Sequence, residues 1–133
     1  MPTTGTGRCF CGAVRYQWFR APLWACHCHC ESCRRTCSAP FTSFFGLADD
    51  AWSWTGEEPV VFTSSPGVRR SFCGRCGAPM TFAADRFAGE THFYAATMDA
   101  PETYVATAHV YMAEKLPWIH LDDGLPQHQG PLE

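Results

Sequence analysis

The sequence predicts a mostly β domain of folded-over antiparallel sheets, and three observations support this. Short stretches alternate apolar and polar residues, as in residues 14–18, where every second side chain is apolar. Turn signals separate these stretches, the clearest being Ser-Ser-Pro-Gly at residues 64–67. No stretch shows the long amphipathic repeat of a helix. Many short strands joined by turns are typical of a layered β domain, and 133 residues fit a single domain.

The predicted elements follow one another at short intervals from an ordered start at about residue 7. Strands are predicted at residues 14–18, 23–30, 41–45, 52–54, 60–62, 68–72, 80–82, 91–95, 109–112 and 116–120. Short helical turns are predicted at residues 31–36 and 99–102. A tail rich in proline and glycine begins at Asp122, and we expect the ordered core to end at about residue 126.

Charge and cysteine usage narrow the functional classes. The formal net charge is −3 and the basic residues form no run, which argues against nucleic acid and anionic membranes as partners. The N-terminal residues lack the basic and apolar segments of a secretory signal, so the expectation is a cytoplasmic protein. Nine cysteines, an odd number, cluster at gaps of one and two residues. In a reducing compartment that clustering indicates metal binding rather than a disulfide framework.

One predicted metal site combines a C-x-C pair with a distant C-x-x-C pair. Together the two pairs supply four thiolates, which complete a tetrahedral zinc site: Cys9, Cys11, Cys73 and Cys76. Gly74 and Gly77 would allow a tight turn whose backbone N–H groups point at the sulfurs. Such a zinc would clamp the N-terminal segment onto the hairpin at residues 68–82. A redox C-x-x-C pair, the alternative, would leave the first two cysteines unexplained.

A second predicted metal site is a C-x-C-x-x-C set formed by Cys28, Cys30 and Cys33. Three protein ligands with one position left open distinguish a catalytic zinc from a structural one. Three thiolates make zinc a weak Lewis acid for splitting water, but the ion can still bind a thiol and lower the pKa of that thiol. Cys26 shares one face of an extended segment with the first two ligands and could close the site, and Cys37 could do the same.

Two interpretations are open for the charged residues that follow the C-x-C-x-x-C set. Arg34 and Arg35 follow the third cysteine directly, and a guanidinium suits a carboxylate on a thiol-bearing substrate. Alternatively one arginine is solvated and the other pairs with Asp49 or Asp50.

The reaction class also needs an acid or base, and the sequence does not rank the candidates. They are His29, His109, His120 and Asp122. His27 and His29 point away from the cysteines in an extended segment, where a hydrogen-bonded structural role is the more frequent one.

Several segments carry a family resemblance over residues 7–126. They are GRCFCGAVRY (7–16), HCHCESCRR (27–35), SPG (65–67), FCGRCG (72–77), HVY (109–111), LPW (116–118) and LDDGLP (121–126). Together these segments resemble the glutathione-dependent formaldehyde-activating enzyme family.

The resemblance implies a zinc-containing β fold of the Mss4-like type with two zinc ions, one structural and one catalytic. Cys9, Cys11, Cys73 and Cys76 would hold the structural ion, and Cys28, Cys30 and Cys33 the catalytic one. The implied activity adds the glutathione thiol to formaldehyde, a carbon–sulfur lyase reaction run in the synthetic direction. Cys26 and Cys37 depart from the family pattern and bear on whether the fourth coordination position is free.

The leading hypothesis is therefore a zinc enzyme whose partners are a small thiol and a small aldehyde. A binding module is the first alternative, because the same family includes centromere protein V. It would be favoured by an exposed cluster among five aromatic residues: Trp18, Phe19, Trp24, Phe44 and Phe45. The second alternative is a zinc-stabilised scaffold in which both metal sites are closed.

Overall fold

The computed structural model describes residues 1–132 as ten strands, one α-helix and several 3₁₀ turns. The strands are β1 (Gly5–Arg8), β2 (Arg15–Trp18), β3 (Trp24–Cys28), β4 (Thr42–Ala48), β5 (Trp52–Trp54), β6 (Val60–Ser65), β7 (Val68–Phe72), β8 (Pro79–Ala84), β9 (Glu90–Tyr94) and β10 (His109–Val110). The helix α1 spans Glu31–Cys37. The 3₁₀ turns are Asp85–Phe87, Ala95–Thr97, Pro101–Thr103 and Met112–Glu114.

The strands form two sheets. The smaller sheet has the order β1-β2-β5, and the larger has the order β10-β3-β4-β9-β8-β7-β6. Neighbouring strands run antiparallel except for β10, which pairs in parallel with β3. The mostly β prediction is confirmed.

The central strands of the larger sheet carry a buried cluster on each face, whereas the edge strand β6 is exposed. On one face Phe45, Leu47 and Phe93 pack against Tyr16 and Trp18 of the smaller sheet. The opposite face carries a second apolar cluster that includes Phe44, Phe82, Cys28 and the α1 residue Cys33. Because side chains alternate along a strand, β4 supplies residues to both clusters.

Of two strands predicted near the C-terminus, one is shorter than expected and the other is wrong. The strand expected at 109–112 contains only His109 and Val110, because Tyr111 adopts a left-handed conformation with φ of 55° and starts a 3₁₀ turn. Residues 116–120 form turns instead of a strand. The tail instead hydrogen-bonds back to β10, since the amide of His109 donates to the carbonyl of Pro126 and the amide of His128 donates to the carbonyl of His109, at 2.9 Å each.

The exposed aromatic cluster that would have favoured a binding module is not formed. Trp18, Phe44 and Phe45 are buried and Trp24 is half-buried, so Phe19 alone of the five is exposed. Within residues 1–132, no helix is long and apolar enough to span a membrane.

Candidate metal centres and the cavity beside them

The structure brings the two distant cysteine pairs together. The Sγ atoms of Cys9, Cys11, Cys73 and Cys76 all lie within 4.8 Å of one another. Cys9 and Cys11 are 3.6 Å apart, and Cys11 and Cys73 are 3.8 Å apart. Zinc–sulfur bonds of about 2.3 Å in a tetrahedron place ligand sulfurs about 3.8 Å apart. The four sulfurs therefore already have the spacing that a tetrahedral zinc ion requires.

Backbone N–H groups point at these sulfurs. Cys73 Sγ accepts from the amides of Arg75 and Cys76 at 3.4 Å each, and Cys9 Sγ accepts from the amide of Val14 at 3.3 Å. Such donors stabilise thiolates: the amides of Ala78 and Cys11 lower the pKa of Cys76 to about 6. The donor set therefore fits a divalent soft metal ion.

One glycine in this turn has the conformation expected of it and the other does not. Gly77 has a φ of 79°, which favours glycine, and its amide donates to the carbonyl of Cys73 at 2.8 Å. Gly74 does not have a positive φ. A Cβ at Gly74 would lie 3.1 Å from Cγ2 of Val60, so its small size serves packing.

The three-cysteine group sits where β3 passes into α1. Cys28 ends the strand, Cys30 caps the helix by accepting the amide of Cys33 at 3.2 Å, and Cys33 lies in the first turn. Their sulfurs all lie within 4.8 Å of one another. Cys28 and Cys33 are 3.6 Å apart, but Cys30 and Cys33 are 2.7 Å apart. The latter two sulfurs would have to separate by about 1 Å to share a tetrahedral metal ion.

The three thiols of this group do not lose their protons with equal ease. Contacts with the Cys28 and Cys33 thiols lower the pKa of Cys30 to about 3. Contacts with the other two sulfurs, together with burial, raise the pKa of Cys28. Cys30 is therefore the first of the three to ionise, and metal binding would release the protons that remain.

The three-cysteine group lines a cavity of about 470 Å³. Residues from the larger sheet and from the segment after β10 complete the wall, among them Trp24, Arg70, Phe82, Arg86, His92 and Tyr111. None of the four sulfurs of the other group belongs to a residue that lines this cavity within the described part of the chain. All three residues of the three-cysteine group line this cavity, whereas in the four-cysteine group only Cys9 borders a second cavity, of about 670 Å³, among the described residues. A substrate held in the first cavity would therefore lie beside three candidate metal ligands.

Comparison with known proteins decides the family. The model of the glutathione-dependent formaldehyde-activating enzyme family matches residues 4–114, which include both cysteine groups. The chain belongs to this family.

Two individual proteins extend the comparison. The chain is 36% identical over 78 residues to an uncharacterized lyase of Schizosaccharomyces pombe, an alignment that covers 58% of this chain and 56% of the yeast protein. The chain therefore spans little more than half the length of that relative. A crystal structure of a Rhodobacter sphaeroides protein matches with a TM-score of 0.59 at 18% identity, over 92% of this chain and 98% of the other. At this identity the match supports the fold alone.

In this member of the formaldehyde-activating family, the two additional cysteines lie outside the three-cysteine group. Cys26 is buried on the cavity wall and Cys37 is half-buried at the end of α1. Neither sulfur is within 4.8 Å of all three of the others. Burial raises the pKa of Cys26 to about 12, so it stays a neutral thiol in the absence of metal.

The two arginines after the cysteines do not line the cavity. Arg34 donates to the backbone carbonyls of His29 and Glu114 at 3.4 Å each, and Arg35 pairs with Glu31 at 3.0 Å across one helical turn. A substrate-steering role for either arginine stays a prediction. The alternative pairing with Asp49 or Asp50 is wrong, because Asp50 pairs with Arg20.

Three polar side chains connect the C-terminal tail to the three-cysteine segment. The carboxylate of Asp123 accepts from Nε2 of His109 at 2.7 Å, and Nδ1 of His109 lies 2.9 Å from Nε2 of His29. Both histidines are fully buried, and burial with the neighbouring His109 lowers the pKa of His29 to about 4. Neither histidine lines the cavity. Their position away from the cavity wall favours a structural or a metal-binding role, since ligand atoms of His27, His109 and Asp123 all lie within 4.8 Å of one another.

Three features of the site escaped sequence reasoning. Asp123, and not Asp122, accepts the hydrogen bond from His109. The segment LDDGLP (121–126) contains both acids and gave no way to choose between them. The pair His92 and Glu90, 2.7 Å apart, lies on the cavity wall. Arg70 also lies on the cavity wall. Its inward position could have been predicted from its place on β7, because Arg70 lies on the same face of the strand as the apolar Val68.

Proposed function

We propose that the chain is a zinc-dependent carbon–sulfur lyase-type enzyme that adds a thiol such as glutathione to formaldehyde or a related small aldehyde. Cys28, Cys30 and Cys33 hold the catalytic zinc ion and leave one position for the thiol. Cys9, Cys11, Cys73 and Cys76 hold a structural zinc ion. The partners are small molecules, with no nucleic acid or membrane involved.

The observation that carries the proposal is the difference in sulfur count between the two groups. Four sulfurs close a tetrahedron, whereas the group on the cavity wall has three. Membership in the formaldehyde-activating family and the similarity to a protein named a lyase support the reaction class.

The chemistry asked of the chain is limited. When bound, zinc would lower the pKa of an incoming thiol so that it is present as thiolate near neutral pH. A new S–C bond forms between the thiolate sulfur and the aldehyde carbon, and the carbonyl electron pair moves to oxygen, which takes a proton from water. The aromatic side chains Trp24, Phe82 and Tyr111 on the cavity wall restrict the space around the reacting atoms.

The proposed thiol chemistry also supports a particular cellular compartment for the protein. Metal-binding thiols and a free thiol substrate persist in a reducing environment, which supports a cytoplasmic location. All nine cysteines are free thiols in the structure.

The test measures thiol binding and aldehyde consumption with zinc-loaded protein. We expect glutathione to bind and formaldehyde consumption to exceed the uncatalysed rate, with both lost in Cys30→Ser. Cys37→Ser, which alters a cysteine outside the group and off the wall of this cavity, is the matched control and should retain both. Absence of glutathione binding together with an uncatalysed rate of consumption would refute the proposal.

A further inference from the structure

Arg70 is an almost fully buried cation on the cavity wall, with a relative exposure of 6%. It lies on β7 opposite Phe82 of β8, and its guanidinium carbon is 4.9 Å from the centre of the Phe82 ring. Nε donates to the hydroxyl of Ser64 at 3.2 Å. Nη1 is buried and has no hydrogen-bond partner within the described residues.

No carboxylate neutralises this guanidinium. Within residues 1–132, none of the ion pairs includes Arg70. A buried guanidinium without a hydrogen-bonded carboxylate is unfavourable, and the unsatisfied N–H at Nη1 adds to the free-energy cost. A buried arginine that faces a cavity with an unsatisfied N–H therefore has the properties of an anion-binding group.

The surrounding charges favour the same conclusion. Arg86 is a second cation on the wall, placed over Phe82 and Phe87 at 5.7 and 4.8 Å, and it too has no ion-pair partner among the residues described. The nearby acid Glu90 is already engaged by His92 at 2.7 Å and by the indole N–H of Trp24 at 3.2 Å.

We infer that Arg70 binds a carboxylate of the thiol substrate, so that the enzyme acts on thiols that carry a carboxylate. The inference rests on the proposed function, since the same cavity must hold both the thiol and the anion. The shared wall provides this arrangement: Arg70 and Cys30 both line the cavity.

A competing role for Arg70 is to neutralise the cysteine thiolates themselves. Its positive charge contributes to the low pKa of Cys30, so its field reaches the three-cysteine group. Under that role, replacing Arg70 would weaken metal binding and would affect charged and uncharged ligands equally. Under the role inferred here, the effect depends on the carboxylates of the ligand.

The probe is S-methylglutathione, which keeps both carboxylates of glutathione but has no ionisable thiol. Calorimetry should show that it binds the zinc-loaded protein and that Arg70→Met weakens binding by about 10- to 100-fold, the usual worth of charged hydrogen bonds. Its diethyl ester should bind the unaltered protein as weakly as the acid binds Arg70→Met. Arg70→Lys keeps the charge but loses the fork, so an intermediate affinity is expected.

The matched control is Arg69→Met. Arg69 is the neighbour of Arg70 on the same strand, but it is exposed and pairs with Asp85 at 2.9 Å. The Arg69→Met variant should bind S-methylglutathione with the same affinity as the unaltered protein. Arg70→Met should still unfold cooperatively without ligand, because an apolar chain of similar length fills the same buried space.

Several outcomes overturn the inference. They are equal binding by Arg70→Met and the unaltered protein, no binding by either at millimolar concentrations, and loss of zinc from the Arg70→Met variant. Binding that depends on Arg70 without accelerated formaldehyde consumption would refute the proposed function and leave the anion site standing. The two hypotheses are therefore tested separately.

Discussion

The two cysteine groups present the same kind of ligand atom in different surroundings. In the four-cysteine group, Cys11 and Cys73 are 62 residues apart in sequence, and backbone amides stabilise the sulfurs. In the three-cysteine group, Cys28 and Cys33 are five residues apart, and the sulfurs face a cavity. The first group joins distant parts of the chain, and the second lies at a single junction between a strand and a helix.

This difference has an energetic consequence. A metal ion that closes a long loop removes entropy from the unfolded chain, whereas one that closes a five-residue loop removes little. The first group also has the tetrahedral spacing before metal binds, while Cys30 and Cys33 must move apart. We therefore expect the four-cysteine metal to be tight and structural and the three-cysteine metal to be exchangeable.

The largest expected effect is that of Cys73→Ser. It removes a ligand that is 1% exposed and accepts two backbone amides, so both the metal and the turn at Gly77 are lost. We expect a loss of more than about 4 kcal/mol in the free energy of unfolding, or no cooperative unfolding at all. Thermal unfolding followed by circular dichroism measures this. Cys26→Ser, at a buried cysteine outside both groups, is the control and should unfold cooperatively.

A smaller effect is expected for Cys30→Ser. The protein should contain one zinc ion fewer, measured by mass spectrometry under native conditions, and should lose no more than about 2 kcal/mol of stability. The serine hydroxyl can still accept the amide of Cys33 and so retain the helix cap. If Cys30→Ser and Cys73→Ser lowered the unfolding temperature equally, the division into a structural and an exchangeable site would be wrong.

Cysteine spacing made both groups accessible to sequence reasoning. The C-x-x-C pair with Gly77 predicts a local turn, and a C-x-C pair elsewhere supplies the two further ligands that a tetrahedral site needs. The helical turn predicted at residues 31–36 corresponds to α1, but its cap was not predictable, because cysteine is not a favoured N-cap residue. Local chemistry of this kind needs no knowledge of distant contacts.

Other features depended on long-range contacts that the sequence does not display. The strand β10 is short because Tyr111 turns the chain, and its partners are β3 and the returning tail, not a hairpin neighbour. Arg70 becomes buried only because the larger sheet and the segment after β10 enclose the cavity. A charged residue in a strand is ordinarily solvent-exposed, so its inward position is a tertiary effect.

The smallest expected effect is that of Asp123→Asn, which should change the properties of one cysteine group and not of the other. Asp123 holds His109, which in turn contacts His29, the residue between Cys28 and Cys30. Asp123→Asn should therefore accelerate zinc release to a chelator from the three-cysteine group and leave the four-cysteine group unchanged. Asp122→Asn alters the adjacent exposed acid and is the control.

The stability effect of Asp123→Asn should depend on pH in a defined direction. The hydrogen bond from His109, with a further one from the amide of Leu125, lowers the pKa of Asp123 below its usual value of about 3.9. A carboxyl group with a lowered pKa stabilises the fold above its unfolded pKa and loses that contribution as the pH falls through its folded pKa. The difference in unfolding temperature between the unaltered protein and Asp123→Asn should therefore be constant near neutral pH and shrink below about pH 4. A difference that grows on acidification would mean that Asp123 does not act through its charge, and the link between the tail and the three-cysteine group would have to be packing alone.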